Sequence, residues 1–331
     1  MEASIASNRN RNQGQQVMLT VNSYLSGIPK KNKNPEKPLI LSNFVEGVNR
    51  CGDIGESVTG DWSPSDVAVI QGYVHEDSPD SPHLTLRKRV LDQQKNNNKH
   101  TVIVDSNLFL FADPGNAKTY LRYSLDGVFP STGNYFWDNP DINRWHKIRK
   151  DLNIKYKDWR SNGNHILICL QRNGGWSMKG LDNQDWAIDV VHRLRKYTDR
   201  PIWLRGHPGD KRAGKYLDLN ERACRLDVLK NMNVNIVDHR NRTLEQDLKN
   251  AWATVVYNSS PAVASAITGV PVFADDLADC QARDVATNDI SQIESPVMGD
   301  RENWLSKLAM CHWNFNELKD GSAWRHMRQY L

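Results

Sequence analysis

Four polar segments of the second half hold the residues best suited to chemistry: Gln171 to Ser177, Arg205 to Asp210, Asp238 to Thr243 and Asn258 to Ser260. Each follows an apolar run short enough to be a strand. Together they bring Arg172, Arg205, His207, Ser259 and Ser260 to one rim. Cations, small hydroxyls and backbone N–H groups on one edge suit a phosphate or diphosphate. Pro261 stands where a first helical residue would sit, since its missing N–H is an orphan there anyway. A helix starting after Ser259-Ser260 would offer anions a partial positive charge and unpaired donors. An ordinary capped helix is the plainer reading of that segment alone, and a lone His before Pro is commonly structural. The argument for a ligand is that these features share an edge. Trp176, Asp238 and Thr243 lie in the same loops and are candidate contacts to a base or a sugar, although a loop tryptophan equally suits packing at a domain interface.

A group that accepts a proton should come from the first half and lie across a cleft from this rim. Asp105 is the first choice, because it closes the β-branched run Thr101 to Asp105 and so faces a strand-end crevice. Asp53, in a loop, and Glu46, on a helix, are the alternatives. Each of the three equally suits a cap or a turn.

The elements that must position these residues are legible around residues 252–275, WATVVYNSSPAVASAITGVPVFAD. Ala253 to Tyr257 reads as a buried strand, Ala262 to Thr268 as a helix, Gly269 as its left-handed cap, and Val270 to Phe273 as the next strand. Upstream, strands are expected at Val17 to Val21, Asp66 to Gly72, Thr101 to Asp105, Ile166 to Leu170, Pro201 to Leu204 and Val234 to Val237. Helices are expected near Lys37 to Asn49, Ser81 to Gln94, Asp185 to Tyr197 and Glu221 to Asn231, and beyond Asp300. Residues 51–64 read as turn chemistry, and Thr243 with Gln246 as a capping box. Such alternation predicts an α/β protein with parallel sheets, whose ligands bind beyond the carboxyl ends of the strands. Two Rossmann-like halves are expected: 17–160 and 161–331, the latter with a helical C-terminal tail, after a disordered stretch at 1–16.

The totals agree with this class. The chain has 331 residues, 39% of them hydrophobic, and a formal charge of +4. Its mean hydropathy is −0.66. No run is apolar enough to span a bilayer and no secretory signal opens the chain, so a cytoplasmic protein is expected. Five scattered cysteines read as reduced thiols. Without a GxGxxG or P-loop sequence, neither a dinucleotide fingerprint nor a Walker site is present. No DxD-type sequence occupies a suitable loop, so no metal and no cofactor are expected.

His207-Pro208 after a strand, and Ser259-Ser260 at a helix start some fifty residues on, resemble the HP and SS motifs of bacterial sialyltransferases and related capsule-polysaccharide glycosyltransferases. The run YNSSPAVASAITGVPVF is similar to their S-S-x-x-x-E-A-x-x-x-G-x-P-V segment, with Ala264 and Ser265 where an acid is often found. The resemblance implies the GT-B architecture: two facing Rossmann-like domains, the second holding a nucleotide-sugar donor and the first an acceptor. It also implies that His207, Ser259 and Ser260 meet the donor's phosphate. The nucleotide sugar would be a substrate, and a glycan of capsule or lipopolysaccharide type is the favoured acceptor. A hydroxymethylated base in DNA is the alternative, since phage DNA glucosyltransferases share the arrangement. A nucleotide-sugar epimerase and a non-catalytic binding module of the same fold are the other classes. The acidic motif that supplies the sialyltransferases' base is absent from the first half.

Overall fold

The computed structural model describes residues 17–31, 36–75, 78–112, 120–173, 175–210, 213–237 and 239–331. The expected tail at 1–16 and Asp238 lie outside them. The first half runs β1 (Thr20–Tyr24), α1 (Glu36–Arg50), β2 (Ile54–Val58), β3 (Val67–Gln71), α2 (Pro82–Asn96), β4 (His100–Ser106), β5 (Tyr120–Leu125) and α3 (Ile142–Asp151). The second opens with β6 (His165–Cys169), α4 (Asn183–Leu194), β7 (Ile202–Arg205), α5 (Ala213–Tyr216), β8 (Val234–Val237) and α6 (Leu244–Leu248). It continues through β9 (Ala251–Val256), α7 (Pro261–Ile267), β10 (Val272–Ala274), β11 (Ala286–Thr287) and α8 (Glu302–Met310). The chain closes with β12 (His312–Asn314), α9 (Phe315–Lys319) and α10 (Ser322–Met327).

The second sheet has the order β11-β10-β9-β6-β7-β8. All of its pairings are parallel. Renumbered from its own first strand this is the 3-2-1-4-5-6 order of a doubly wound sheet, whose ligand crevice opens where the order reverses. Here that point lies between β6 and β9. Its central strands β6, β9 and β10 are buried on both faces, as uninterrupted apolar runs such as Ile166 to Leu170 require, while the edge strands β8 and β11 are partly exposed. Pro261 begins α7, and Gly269 follows it at φ +81. A Cβ on Gly269 would meet the Asp158 carbonyl at 2.0 Å, so space as well as conformation demands glycine.

The first sheet has the order β12-β5-β4-β3-β1-β2. Its β2, β1, β3 and β4 pair in parallel. The expectation of wholly parallel sheets is corrected at the other edge, where β5 runs antiparallel to β4 and β12 antiparallel to β5. β2 was expected to be turn. It is a polar edge strand, mostly exposed, and only its pairing with β1 makes it a strand. The expected helix at Glu221 to Asn231 is reduced to a 3-10 turn at Leu226–Leu229.

The chain's end is also corrected. His312–Asn314 returns to the first sheet, and α9 and α10 pack beside α1, so the tail does not stay with the second half. Trp313, Leu318, Trp324 and Met327 bury their side chains among Leu41, Phe44 and Val48 of α1. Asp53 anchors this return and is 6% exposed. It accepts from Leu19 N–H at 2.9 Å, Trp324 Nε1 at 2.7 Å and Arg328 Nε at 2.6 Å. Burial alone would raise its pKa, but these donors prevail and hold it below the usual aspartate value. Asp53→Ala is expected to cost about 3–5 kcal/mol of stability, because it removes the carboxylate that pairs with Arg328 and leaves the Trp324 and Leu19 N–H donors unpaired. Denaturant unfolding measures this directly.

His312 joins the returning strand to the loop after β4. Its Nδ1–H donates to Leu308 O at 2.7 Å, and Nε2 accepts from Leu108 N–H at 3.1 Å. Both nitrogens are thus satisfied only by the neutral ring. Burial, with further lowering from Arg122 and Arg144, brings its pKa down to about 3. Because the folded value lies below the unfolded one, the stabilisation is complete above about pH 6.5 and is lost as pH falls towards 3. His165 and His326 are lowered by burial in the same sense. The melting temperature should therefore be flat above neutrality and decline below about pH 6. His312→Gln should flatten the decline by about 1.4 kcal/mol per pH unit.

Candidate active site

A cleft of about 810 Å³ opens between the two sheets, where the ends of β4, β6, β7 and β9 come together. Asp105, Arg122 and Phe129 line it from the first half; Arg172, His207 and Ser259 line it from the second. A hydrophobic cluster beneath joins Leu108, Phe109 and Trp145 to Leu167, Val256 and Leu305, so one apolar layer supports both walls.

On the second wall, Gln171 and Asn258 fix the loops. Gln171 Oε1 accepts from Asn258 N–H at 3.0 Å, and its Nε2 donates to Ser177 Oγ at 2.9 Å. Asn258 Nδ2 donates to Asp276 at 2.9 Å. These bonds brace the segment carrying Ser259 and Ser260 against the one carrying Arg172. Ser259 Oγ is buried with no hydrogen-bond partner among the described residues, a state that costs roughly 1–3 kcal/mol unless something binds it. Ser260 is exposed and makes no side-chain cap bond. The helix start itself is tighter than the sequence implies. Ala262 N–H reaches Ser259 O at 3.1 Å and Val263 N–H reaches Ser260 O at 2.9 Å, so neither donor is free. What this corner offers a ligand is its hydroxyls.

His207 Nδ1 accepts from Gly209 N–H at 3.0 Å, which places the ring proton on Nε2. Burial, then the nearby charge of Arg172, holds its pKa below the ordinary histidine value, so at neutral pH it is an uncharged N–H donor. Arg172 supplies the positive charge. Its guanidinium lies beside His207 and Gly209, and no carboxylate among the described residues pairs with it.

Arg205 departs from expectation. It reaches the same rim, but its guanidinium pairs with Asp247, which is 0% exposed, and donates to Arg242 O at 3.0 Å. Asp247 also accepts from Arg242 Nε at 2.7 Å, so one carboxylate serves two guanidiniums, and Arg205 holds the turn before α6. Thr243 forms the expected capping box, its Oγ1 accepting Gln246 N–H at 3.2 Å. That hydroxyl is committed to the helix. Trp176 stands at the interface between the halves, stacked on His75 at 3.8 Å and Phe129 at 4.8 Å. These neighbours already occupy ring surface that a base or sugar would need.

On the first wall, Asp105 Oδ2 accepts from Arg122 Nη2 at 2.7 Å, and Oδ1 accepts Ser106 N–H at 2.7 Å. The two residues are cross-strand partners in β4 and β5. Arg122 is not among the residues expected from the sequence, because nothing local marks its strand, Tyr120–Leu125. A single charge inside the otherwise uncharged run YLRYSL is the available signal, since a buried guanidinium needs a partner. The other two acids are elsewhere. Asp53 lies under the C-terminal return, and Glu46 pairs on the surface with Arg50 at 2.6 Å and Lys319 at 3.7 Å.

No family model matches the sequence, and no curated protein matches it. Among solved structures, the chain is similar to Thermosulfurimonas dismutans KpsC, beta Kdo 2,4 transferase, with TM-score 0.52 and 12% identity over 92% of this chain and 99% of that one. A second, Thermosulfurimonas dismutans KpsC, beta Kdo 2,7 transferase, matches with TM-score 0.49 and 11% identity over 92% and 98%. Methanocaldococcus jannaschii UDP-GlcNAc 2-epimerase matches over 95% and 100%, with 12% identity and TM-score 0.29. At such identities the likeness is one of fold. The two facing Rossmann-like domains are the GT-B architecture expected from the sequence. No helix among the described residues is long and apolar enough to cross a membrane.

Proposed function

We propose that the chain is a glycosyltransferase that moves a sugar from a nucleotide-sugar donor to an acceptor hydroxyl. The observation that carries this reading is the convergence of Ser259 Oγ, the His207 N–H and Arg172, which no carboxylate among the described residues pairs with, on one wall, with Asp105 on the wall opposite. Ser259, Ser260 and His207 would donate to the departing phosphate while Arg172 offsets its charge, which is stabilisation aimed at charge that grows in the transition state. Asp105, steadied by Arg122, would take the proton of the acceptor hydroxyl. A glycan acceptor is preferred over hydroxymethylated DNA, in keeping with a Kdo transferase being among the solved structures of similar fold. A DNA acceptor would add phosphate contacts and steep salt dependence.

The first test is a thermal-shift panel of UDP-, CMP-, GDP- and dTDP-sugars. One of them should raise the melting temperature, by an amount that grows with ligand concentration, since only the folded state binds. Arg172→Ala should weaken that ligand by roughly tenfold, the scale of one charge-assisted contact. A panel without any concentration-dependent shift would count against the reading.

A further inference from the structure

Gln281 also lines the cleft, and its residue surface is 6% exposed. Its Nε2 donates to the Tyr135 hydroxyl at 3.0 Å, and that hydroxyl in turn donates to the Val128 carbonyl. Tyr135 has one proton, already directed at Val128, so it can only accept from Gln281. This fixes the orientation of the amide: nitrogen on Tyr135, oxygen away from it. Gln281 Oε1 is then buried and has no partner among the described residues. Arg122 Nε is in the same state, on a side chain that is 10% exposed, and its guanidinium carbon lies 5.7 Å from the Tyr135 ring centre. An orphan acceptor and an orphan donor, both on residues that line the cleft, therefore flank one tyrosine buried behind its wall. Buried polar groups in folded proteins are nearly always paired, so each points to a group that arrives with a ligand.

Their location says which part of the ligand. Gln281 follows β10, the neighbour of β9, whose end carries Ser259 and Ser260. Arg122 comes from the first half and holds Asp105. The pair thus sits where the two walls meet, beyond the phosphate corner and next to the acid. We propose that Gln281 Oε1 and Arg122 Nε grip the transferred sugar, Gln281 accepting from one of its hydroxyls, and that Gln281 is a specificity-determining contact for the sugar and not for the nucleotide. This rests on the nucleotide-sugar reading above. A site built to accept a hydroxyl rejects a sugar lacking one, because the acceptor is then left buried and unpaired.

The test measures the affinities of UDP-glucose, GDP-mannose, dTDP-glucose and CMP-sialic acid by calorimetry, each against its bare nucleotide. The gain from adding the sugar should fall by about tenfold in Gln281→Met, while the affinity of the bare nucleotide stays within about twofold. Gln281→Glu keeps an acceptor oxygen, and Tyr135 can turn its proton onto it, so much of the gain should survive there. An unchanged gain in Gln281→Met would overturn the proposal and leave the nucleotide-sugar reading standing. Failure of every nucleotide and nucleotide sugar to bind the unmutated protein would overturn both. Should Gln281→Met not fold, a structure of the unmutated protein with the bound donor decides the matter. A sugar hydroxyl within about 3.2 Å of Gln281 Oε1 supports the proposal, and a water there with the sugar elsewhere overturns it.

Discussion

Asp105→Asn is expected to lower transfer by about 10²–10⁴, the usual range for loss of a general base, while donor affinity changes by only a few-fold. The separation follows from geometry. Asp105 belongs to the wall opposite Ser259 and His207, so under the proposed reaction it would meet the acceptor's proton and not the donor's phosphate. The substitution is not silent structurally. The carboxylate accepts from Arg122 on one oxygen and from Ser106 N–H on the other, and an amide can satisfy only one of these donors. A drop in melting temperature should therefore accompany the loss of rate, and turnover must be expressed per folded molecule. Unchanged turnover in the folded fraction would remove Asp105 from the chemistry. Asp53 could not replace it, because that carboxylate is enclosed by Leu19, Trp324 and Arg328.

His207→Ala is expected to reduce kcat by about 10²–10³, with a smaller change in donor Kd. The leaving phosphate gains negative charge as the bond to the sugar breaks, so a donor aimed at it contributes more in the transition state than in the ground state. The backbone bond from Gly209 places the ring proton on Nε2, and burial keeps the ring neutral, so the contribution is that of a fixed N–H. His207→Asn, which retains an N–H donor, should recover part of the rate. With the histidine pKa lowered, the activity it supports should be indifferent to pH above about 6.5. A structural His207 would behave otherwise: the alanine variant would lose melting temperature and soluble yield, while the surviving folded fraction kept normal turnover.

The parts of the fold that the sequence revealed are those whose signal is local. Pro261 and Gly269 bracket α7 as their backbone chemistry requires, and Val234–Val237 is a strand where its β-branched residues place it. Elements that depend on partners far along the chain were hidden. Ile54–Val58 is polar and becomes a strand by pairing with β1, and His312–Asn314 is a strand because β5 offers it an edge. The site divides along the same line. Loops following apolar runs were found, since a parallel sheet must deliver them to one rim. The state of each residue on that rim was not legible, because it depends on which neighbour claims it. Asp247 of α6 pairs with both Arg205 and Arg242, whereas nothing among the described residues takes the hydroxyl of Ser259. Arg122 and Gln281 emerged only when the fold showed where their unpaired atoms lie.

Product analysis tests the central claim most directly. The protein is incubated with the nucleotide sugar that stabilises it, with and without a pool of glycan acceptors, and released nucleotide and glycosylated product are quantified together. Sugar transfer predicts one nucleotide released per acceptor modified, both abolished in His207→Ala and Asp105→Asn. Conversion of the donor to an isomer in the absence of any acceptor, or tight donor binding with neither release nor product, would contradict it.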